Sequence, residues 1–168
     1  MSTFPIPRIE TARLVLRPMT IQDWPAYAAF MASERAVQMG GPYAEDRAWG
    51  VFCHDTAQWM LFGHGALMME DKASGTCLGQ VGINHGPLFP EKELGWFVYE
   101  QAEGRGFAFE AADALRHWAF TECGLETLVS YIDRDNGRSR RLAERLGAVI
   151  DPAAPVKDPG DLVYRHVR

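Results

Sequence analysis

Apolar residues recur along this chain with two different spacings, and the switches between them outline the elements. "RLVLRPM" (13–19) reads as a short strand. Thr20 and Asp23 then offer capping oxygens, and Trp24, Tyr27, Ala28 and Met31 share one face of a helix. "GGPY" (40–43) is a turn, after which Trp49, Phe52, Thr56, Trp59 and Met60 recur at helical spacing. "GALMMEDKASGTCLGQVGI" (65–83) reads as a hairpin turning at Lys72–Gly75. "ELGWFVY" (93–99) is a central strand. From Gly106 onward, Phe107, Ala108, Ala111, Ala112, Leu115, Trp118 and Ala119 form an apolar stripe, so a helix packs on the sheet there. "ETLVSYID" (126–133) is a further strand. In "NGRSRRLAERLG" (136–147), Leu142, Ala143 and Leu146 point inward and Gly147 ends the helix. The stretch 151–160 carries three prolines and reads as loop, and "DLVYRHV" (161–167) as a closing edge strand.

The resulting order, β-α-α-β-β-β-α-β-α-β, predicts an α/β sandwich around a mixed sheet. With 168 residues the chain suits one domain, taken as residues 1–168. Its net charge of −5 argues against a general nucleic-acid binder, which needs a dense basic surface. A local basic pocket for one phosphorylated cofactor remains compatible with it. No apolar run approaches the roughly 20 residues of a membrane span. The start, "MSTFPIPRIETARLVL", lacks the pattern of charge, apolar block and small residues of a signal peptide. Cys53, Cys77 and Cys123 are an odd number without metal-ligand spacing and read as reduced thiols, which points to the cytoplasm and to no metal.

The junction "ELGWFVYEQAEGRGFAFEAADAL" (93–115) carries the chemistry. Strand passes to helix through Gly104 and Gly106, which flank Arg105. A helix N-terminus presents free N–H groups and the positive end of the macrodipole. Glycines ahead of it let the backbone approach an anion. The same glycines also suit a plain tight turn. A P-loop is excluded by the absent Gly-Lys-Ser/Thr ending, and a dinucleotide fingerprint by Phe109 at the third glycine position.

"EGRGFAFEA" (103–111) resembles the acyl-CoA pyrophosphate loop of the GNAT superfamily of N-acetyltransferases, whose pattern is Gln/Arg-x-x-Gly-x-Gly/Ala. Gln101, Gly104 and Gly106 satisfy it in one register. Gly106 and Ala108 satisfy it in another, in which Glu103 departs from the pattern at the first position. "NGRSRRLAERLGA" (136–148) is similar to the family's Asn-x-x-Ser-x-x-x-x-Glu-x-x-Gly-Phe segment, with Ala148 in place of Phe. "RIETARLVLRPMTIQD" (8–23) is similar to the opening of the branch that includes the ribosomal-protein alanine acetyltransferases. The resemblance reaches to about residue 150.

It implies a three-layer sandwich of class α/β (α+β), with a mixed, mostly antiparallel sheet of six to seven strands and four helices. It implies acetyl-CoA as cosubstrate and transfer of its acetyl group to a primary amine, a protein N-terminus or a small molecule. The pantetheine arm is expected along Phe97 and Val98. The N–H groups of Gly104, Arg105, Gly106, Phe107 and Ala108 are expected to hold the pyrophosphate. Asn136 is expected either to bond the pantetheine or to cap its helix, which Asn does well. Glu93 is the expected base, or else an exposed strand-end charge. Ser139 is the expected proton donor, or else a helix anchor, since the Tyr that other branches use falls at Ala143. His85, after strand 77–83, is another candidate base, or else a loop histidine without a role, and His54 and His64 are candidates to line the acceptor pocket. Arg138, Arg140, Arg141 and Arg145 make either a solvated face or a contact to the CoA 3′-phosphate. A homodimer stays open. So does a non-catalytic acyl-CoA-binding sensor or regulatory module.

Overall fold

The computed structural model describes residues 5–168; part of the start motif, residues 1–4, lies outside the described residues. The strands are β1 (Ile9–Glu10), β2 (Leu14–Arg17), β3 (Ala66–Asp71), β4 (Cys77–Asn84), β5 (Glu93–Val98), β6 (Thr127–Asp133), β7 (Val149–Ile150) and β8 (Asp161–Val167). The helices are α1 (Trp24–Met31), α2 (Glu45–Phe62), α3 (Phe107–Thr121) and α4 (Gly137–Arg145). Tight 3-10 turns at Ile21–Asp23, Glu34–Met39 and Glu100–Ala102 join them.

Among the described residues all eight strands lie in one sheet in the order β1-β2-β3-β4-β5-β6-β8-β7. The neighbours are antiparallel except β5 and β6, which are parallel. α3 covers one face. Phe107, Ala111, Ala112, Leu115 and Ala119 pack there against Leu16, Leu67, Val81, Ile83 and Leu94. α1 and α2 cover the other, where Tyr27, Phe30 and Phe52 meet Phe97 and Tyr99. The two-residue alternation of a strand sends Leu94 to the first face and Phe97 and Tyr99 to the second.

The sheet is widest where it is least bonded. β5 and β6 share one register pair, Glu93 with Val129. Val129 N–H donates to Lys92 O at 3.0 Å, and one step on it is a side chain, Ser130 Oγ, that donates to Leu94 O at 2.6 Å. Beyond that the strands part. β6 instead pairs with β8 along its whole length, from Thr127 to Asp133. α4 follows β6 and closes with a Schellman motif: Ala148 N–H reaches Ala143 O and Gly147 N–H reaches Glu144 O, with Gly147 at φ +82°.

Three expectations change. The sheet has eight strands because β1 and β7, two residues each, carry too little pattern to be read in advance. The 161–167 strand is not an edge: β7 pairs with Tyr164 and Arg165 on its outer side. On α2, Trp49 (44 % exposed) and Met60 (91 %) face outward. The buried face is Ala48, Phe52, Asp55 and Trp59, and two of its inward positions, Asp55 and Gln58, are polar.

Candidate active site

A cleft of about 900 Å³ opens where β5 and β6 part. Its floor is the α2-facing side of β4 and β5. One wall is α2 with the loop before it, and the other is β6 with residues 157–161.

At the α3 end, Gly104 and Gly106 adopt left-handed φ values of +70° and +80°. A Cβ on Gly104 would meet nothing within 4 Å, and one on Gly106 would stand 3.5 Å from Arg13 Nη2, an ordinary contact. Packing therefore does not demand glycine at either position; the backbone conformation does. Among the described residues, no acceptor pairs with the N–H groups of residues 104–109, and the first helical bond runs from Glu110 N–H to Gly106 O. Six consecutive free donors at a helix N-terminus fit a diphosphate. Arg13 and Arg105 both stack on the buried Phe107 ring, at 4.2 and 4.7 Å. Glu103 is gripped by Arg35 at 2.6 Å and Arg138 at 2.7 Å, and the two guanidiniums hold its carboxyl below the ordinary range.

Along β5, backbone groups alternate in direction. Tyr99 N–H donates to Leu78 O in β4, whereas Leu94 O and Val98 O accept from Ser130 and Arg35 on the open side. Val98 and Trp96 thus turn backbone away from β4; Trp96 lines the cleft, and Val98 O is already taken by Arg35. Phe97 turns its backbone into β4, opposite Gln80, and contributes its ring, stacked on Phe30 at 4.4 Å.

Asn136 performs its capping role: Oδ1 accepts from Ser139 N–H at 3.2 Å. Its Nδ2 donates to nothing among the described residues, so the amide can serve a ligand too. Ser139 lines the same cleft and its hydroxyl has no partner among the described residues. Ala143 is fully buried against Ile132, Ala148 and Tyr164, so the helix offers no room for a tyrosine there.

Glu93 sits half-buried at the base of the fork, with Asn84 Nδ2 donating to it at 3.1 Å. Burial pushes its carboxyl up to about 7 despite that bond and the nearby Lys157; Asp161 and Asp55 push the same way. Of His54, His64 and His85, only His54 lines the cleft. Its Nδ1 faces Asp55 at 3.4 Å and its Nε2 faces the Gln58 amide nitrogen at 3.0 Å. Asp55 in turn accepts from the Tyr27 hydroxyl at 3.0 Å, making a tied wall. His64 and His85 pack together near Phe62, outside the cleft lining. The four arginines of 138–145 scatter: Arg140 bonds Tyr164 and Arg134 O, while Arg145 stacks on Phe109 beside a smaller recess shared with Arg13 and Gly106. None of the three cysteines is paired, and none lines the cleft.

Tyr131, Asp133 and Asp161 were not singled out in the sequence, yet all line the cleft. The signal was alternation: odd positions of β6 share a face, and the β6–β8 register brings Asp161 to Asp133. That register joins residues far apart in the chain, so sequence pattern does not reveal it.

The profile of the acetyltransferase (GNAT) domain family matches residues 13–149. The fold superposes on an acetyltransferase from Agrobacterium tumefaciens str. C58 with a TM-score of 0.95 at 58 % identity, covering 97 % of this chain and 95 % of that one. A GnaT-family acetyltransferase from Bordetella pertussis gives 0.79 at 28 % identity, covering 96 % and 100 %. RimL, a ribosomal L7/L12 α-N-protein acetyltransferase solved with coenzyme A, gives 0.75 at 16 % identity over 96 % and 98 %, a likeness of fold alone. The chain is also 33 % identical over 88 residues to YkkB of Bacillus subtilis (strain 168), spanning about half the length of each, 51 %.

Proposed function

This chain belongs to the GNAT acetyltransferase family, and from that premise we propose that it moves an acetyl group from acetyl-CoA to a primary amine by direct attack in a ternary complex. The observation that carries the reading is the run of six N–H groups at residues 104–109 without a partner among the described residues, at the N-terminus of the helix that follows β5, the strand that begins at Glu93 and lines the cleft.

The N–H groups of Gly104, Arg105, Gly106, Phe107 and Ala108 would hold the diphosphate. The backbone of Trp96 and Val98 and the Asn136 amide would hold the pantetheine arm, with Phe97 as a wall. Glu93 is the base. With its carboxyl near 7, a good fraction is ionised at neutral pH and still basic enough to take a proton from an ammonium, directly or through water. The neutral nitrogen attacks the thioester carbon, the carbon–sulfur bond breaks, and the thiolate takes a proton. Ser139, whose hydroxyl has no partner among the described residues, supplies it and is reprotonated by the proton that the attacking nitrogen sheds as the amide forms. No metal enters this scheme.

The acceptor is an amine on a small molecule or a protein N-terminus, and the reading includes neither nucleic acid nor membrane. Among the described residues, no helix is long and apolar enough to cross a bilayer, and cytoplasmic action is part of the proposal. The test is purified protein with acetyl-CoA and a broad amine panel, following thiol release and the mass of the acetylated product. Turnover with any amine supports the reading. Tight acetyl-CoA binding with none would instead favour a non-catalytic acyl-CoA-binding module.

A further inference from the structure

The acceptor half of the cleft has a gap in its floor. On the α2-facing side, β4 contributes Gln80, Gly82 and Asn84, and β5 the antiparallel row Phe97, Gly95 and Glu93. Gly82 and Gly95 are register partners, so two bare backbones lie side by side at the centre. Gly82 is explained by its surroundings, since a Cβ there would sit 3.1 Å from Ala66 Cα. Gly95 is not. The atoms nearest its Cβ would be those of Asn84 and Glu93 at 3.8 Å, an ordinary contact, and its backbone is not left-handed. What a side chain at residue 95 would occupy is space above the floor, beside the base.

Gln80 borders this gap. It is only 7 % exposed, yet its amide nitrogen has only thioether partners, Met19 at 3.5 Å and Met68 at 3.8 Å. Its Oε1 accepts from nothing among the described residues. That oxygen is not among the fully enclosed unpartnered atoms and Gln80 lines the cleft, so water or a ligand in the cleft can complete the amide.

The far wall carries two carboxylates held, among the described residues, only by backbone N–H groups, Asp133 by that of Asp135 at 2.7 Å and Asp161 by that of Asp158 at 3.1 Å. Asp133 and Asp161 are register partners on β6 and β8, and both line the cleft. Like charges directly opposite one another destabilise a sheet. Among the described residues neither makes an ion pair, and Lys157 is engaged with Asp158 at 3.3 Å and with the Phe89 ring. The Asp161 carboxyl is pushed up by burial and by Asp158 and Asp133. No three metal-ligating side chains converge among the described residues, and the amine acceptor of the reading above makes an organic cation the matching charge.

Resting on the amine-acetyltransferase reading above, we propose that the acceptor is a slender amine bearing a second cationic group, its chain over Gly82 and Gly95 and its second cation between Asp133 and Asp161. The reacting nitrogen then lies beside Glu93, and Gln80 Oε1 accepts an N–H of the acceptor.

The test compares pentylamine with its α,ω-diamine as acceptors for the purified protein. The diamine should be favoured in kcat/KM by about tenfold or more, and the Asp133→Asn, Asp161→Asn double variant should erase that preference. Asn keeps the shape and removes the repulsion, so the fold is not at risk. Gly95→Ala should raise the KM of both amines. Equal use of the two amines, or a preference that survives in the double variant, overturns the inference. If only peptide N-termini turn over, the acetyltransferase reading stands and this one falls. If no amine turns over, calorimetry on the CoA-loaded protein decides: diamine binding lost in the double variant sustains the cation subsite while the catalytic reading falls, and absent binding overturns the subsite.

Discussion

Glu103 Oε1 lies 2.7 Å from Arg138 Nη1, tying the turn ahead of α3 to the first turn of α4 across the open end of the β5–β6 fork. Arg35 reaches the same oxygen at 2.6 Å and also bonds Val98 O. A carboxylate thus neutralises two guanidiniums next to the proposed diphosphate site. Glu103→Gln should release both and tighten acetyl-CoA by about threefold, within the modest worth of exposed ion pairs. Titrations at low and high salt check this, and the gain should shrink as salt rises. Weaker binding would show that the carboxylate serves to position the arginines.

Glu93→Gln should lower kcat by about a hundredfold, within the range of general-base contributions. In the parent, kcat/KM should rise with pH through about 7, and that limb should vanish in the variant. Stability moves the opposite way. The carboxyl goes from 4.5 to about 7 on folding, so its protonated form favours the folded state, and that contribution is lost as pH rises through about 7. Above pH 7 the variant should therefore melt higher than the parent. A variant that is slower but not more stable would place the carboxylate in a structural role.

Ser139→Ala should cut kcat by about tenfold and leave acetyl-CoA affinity unchanged, because its hydroxyl bonds nothing among the described residues while its N–H keeps the Asn136 cap. Unchanged turnover would assign the proton to another group, with Tyr131, whose hydroxyl accepts from Glu91 N–H at 2.9 Å, next in line.

How far the sequence carried this account depends on where each partner lies in the chain. The α3 stripe, the 65–83 hairpin, the two glycines and the Asn136 cap are local features, and their residues sit where period and turn chemistry put them. α2 misled because Asp55 and Gln58 face inward, so the apolar spacing of Trp49 and Met60 tracks its outer side. β7 is two exposed residues, Val149 and Ile150, and only its pairing with β8 makes it a strand. The acceptor half of the cleft joins residues about 30 to 80 positions apart, such as Asp133 with Asp161 and Gln80 with Asp161. No local pattern marks such a set.

Gly106→Val should abolish measurable acetyl-CoA binding. A β-branched residue at φ +80° is strained by about 1–2 kcal/mol, and relieving that strain shifts the backbone whose N–H groups make the proposed diphosphate site. Gly106→Ala should weaken binding less. A melting curve separates the strain from the loss of binding, and retained affinity in a folded Val variant would remove the loop from the site.

Ser130→Ala removes the side-chain bridge that holds the fork at its last joined step. It leaves Leu94 O and His166 Nε2 without their partner, which should cost about 1–3 kcal/mol in chemical denaturation. Burial pushes His166 down to about 4 from 6.5, so its contribution is present above about 6.5 and fades as pH falls toward 4. A stability curve flat across that acid range would contradict the neutral, buried histidine.

The most direct measurement is a calorimetric titration of the purified protein with acetyl-CoA, with dephospho-CoA as comparison. The account predicts one site per chain with micromolar affinity, and weaker dephospho-CoA binding if Arg138 or Arg145 meets the 3′-phosphate. Absence of heat with both would mean that the glycine turn is only a turn, and the proposed acetyl transfer would fall with it.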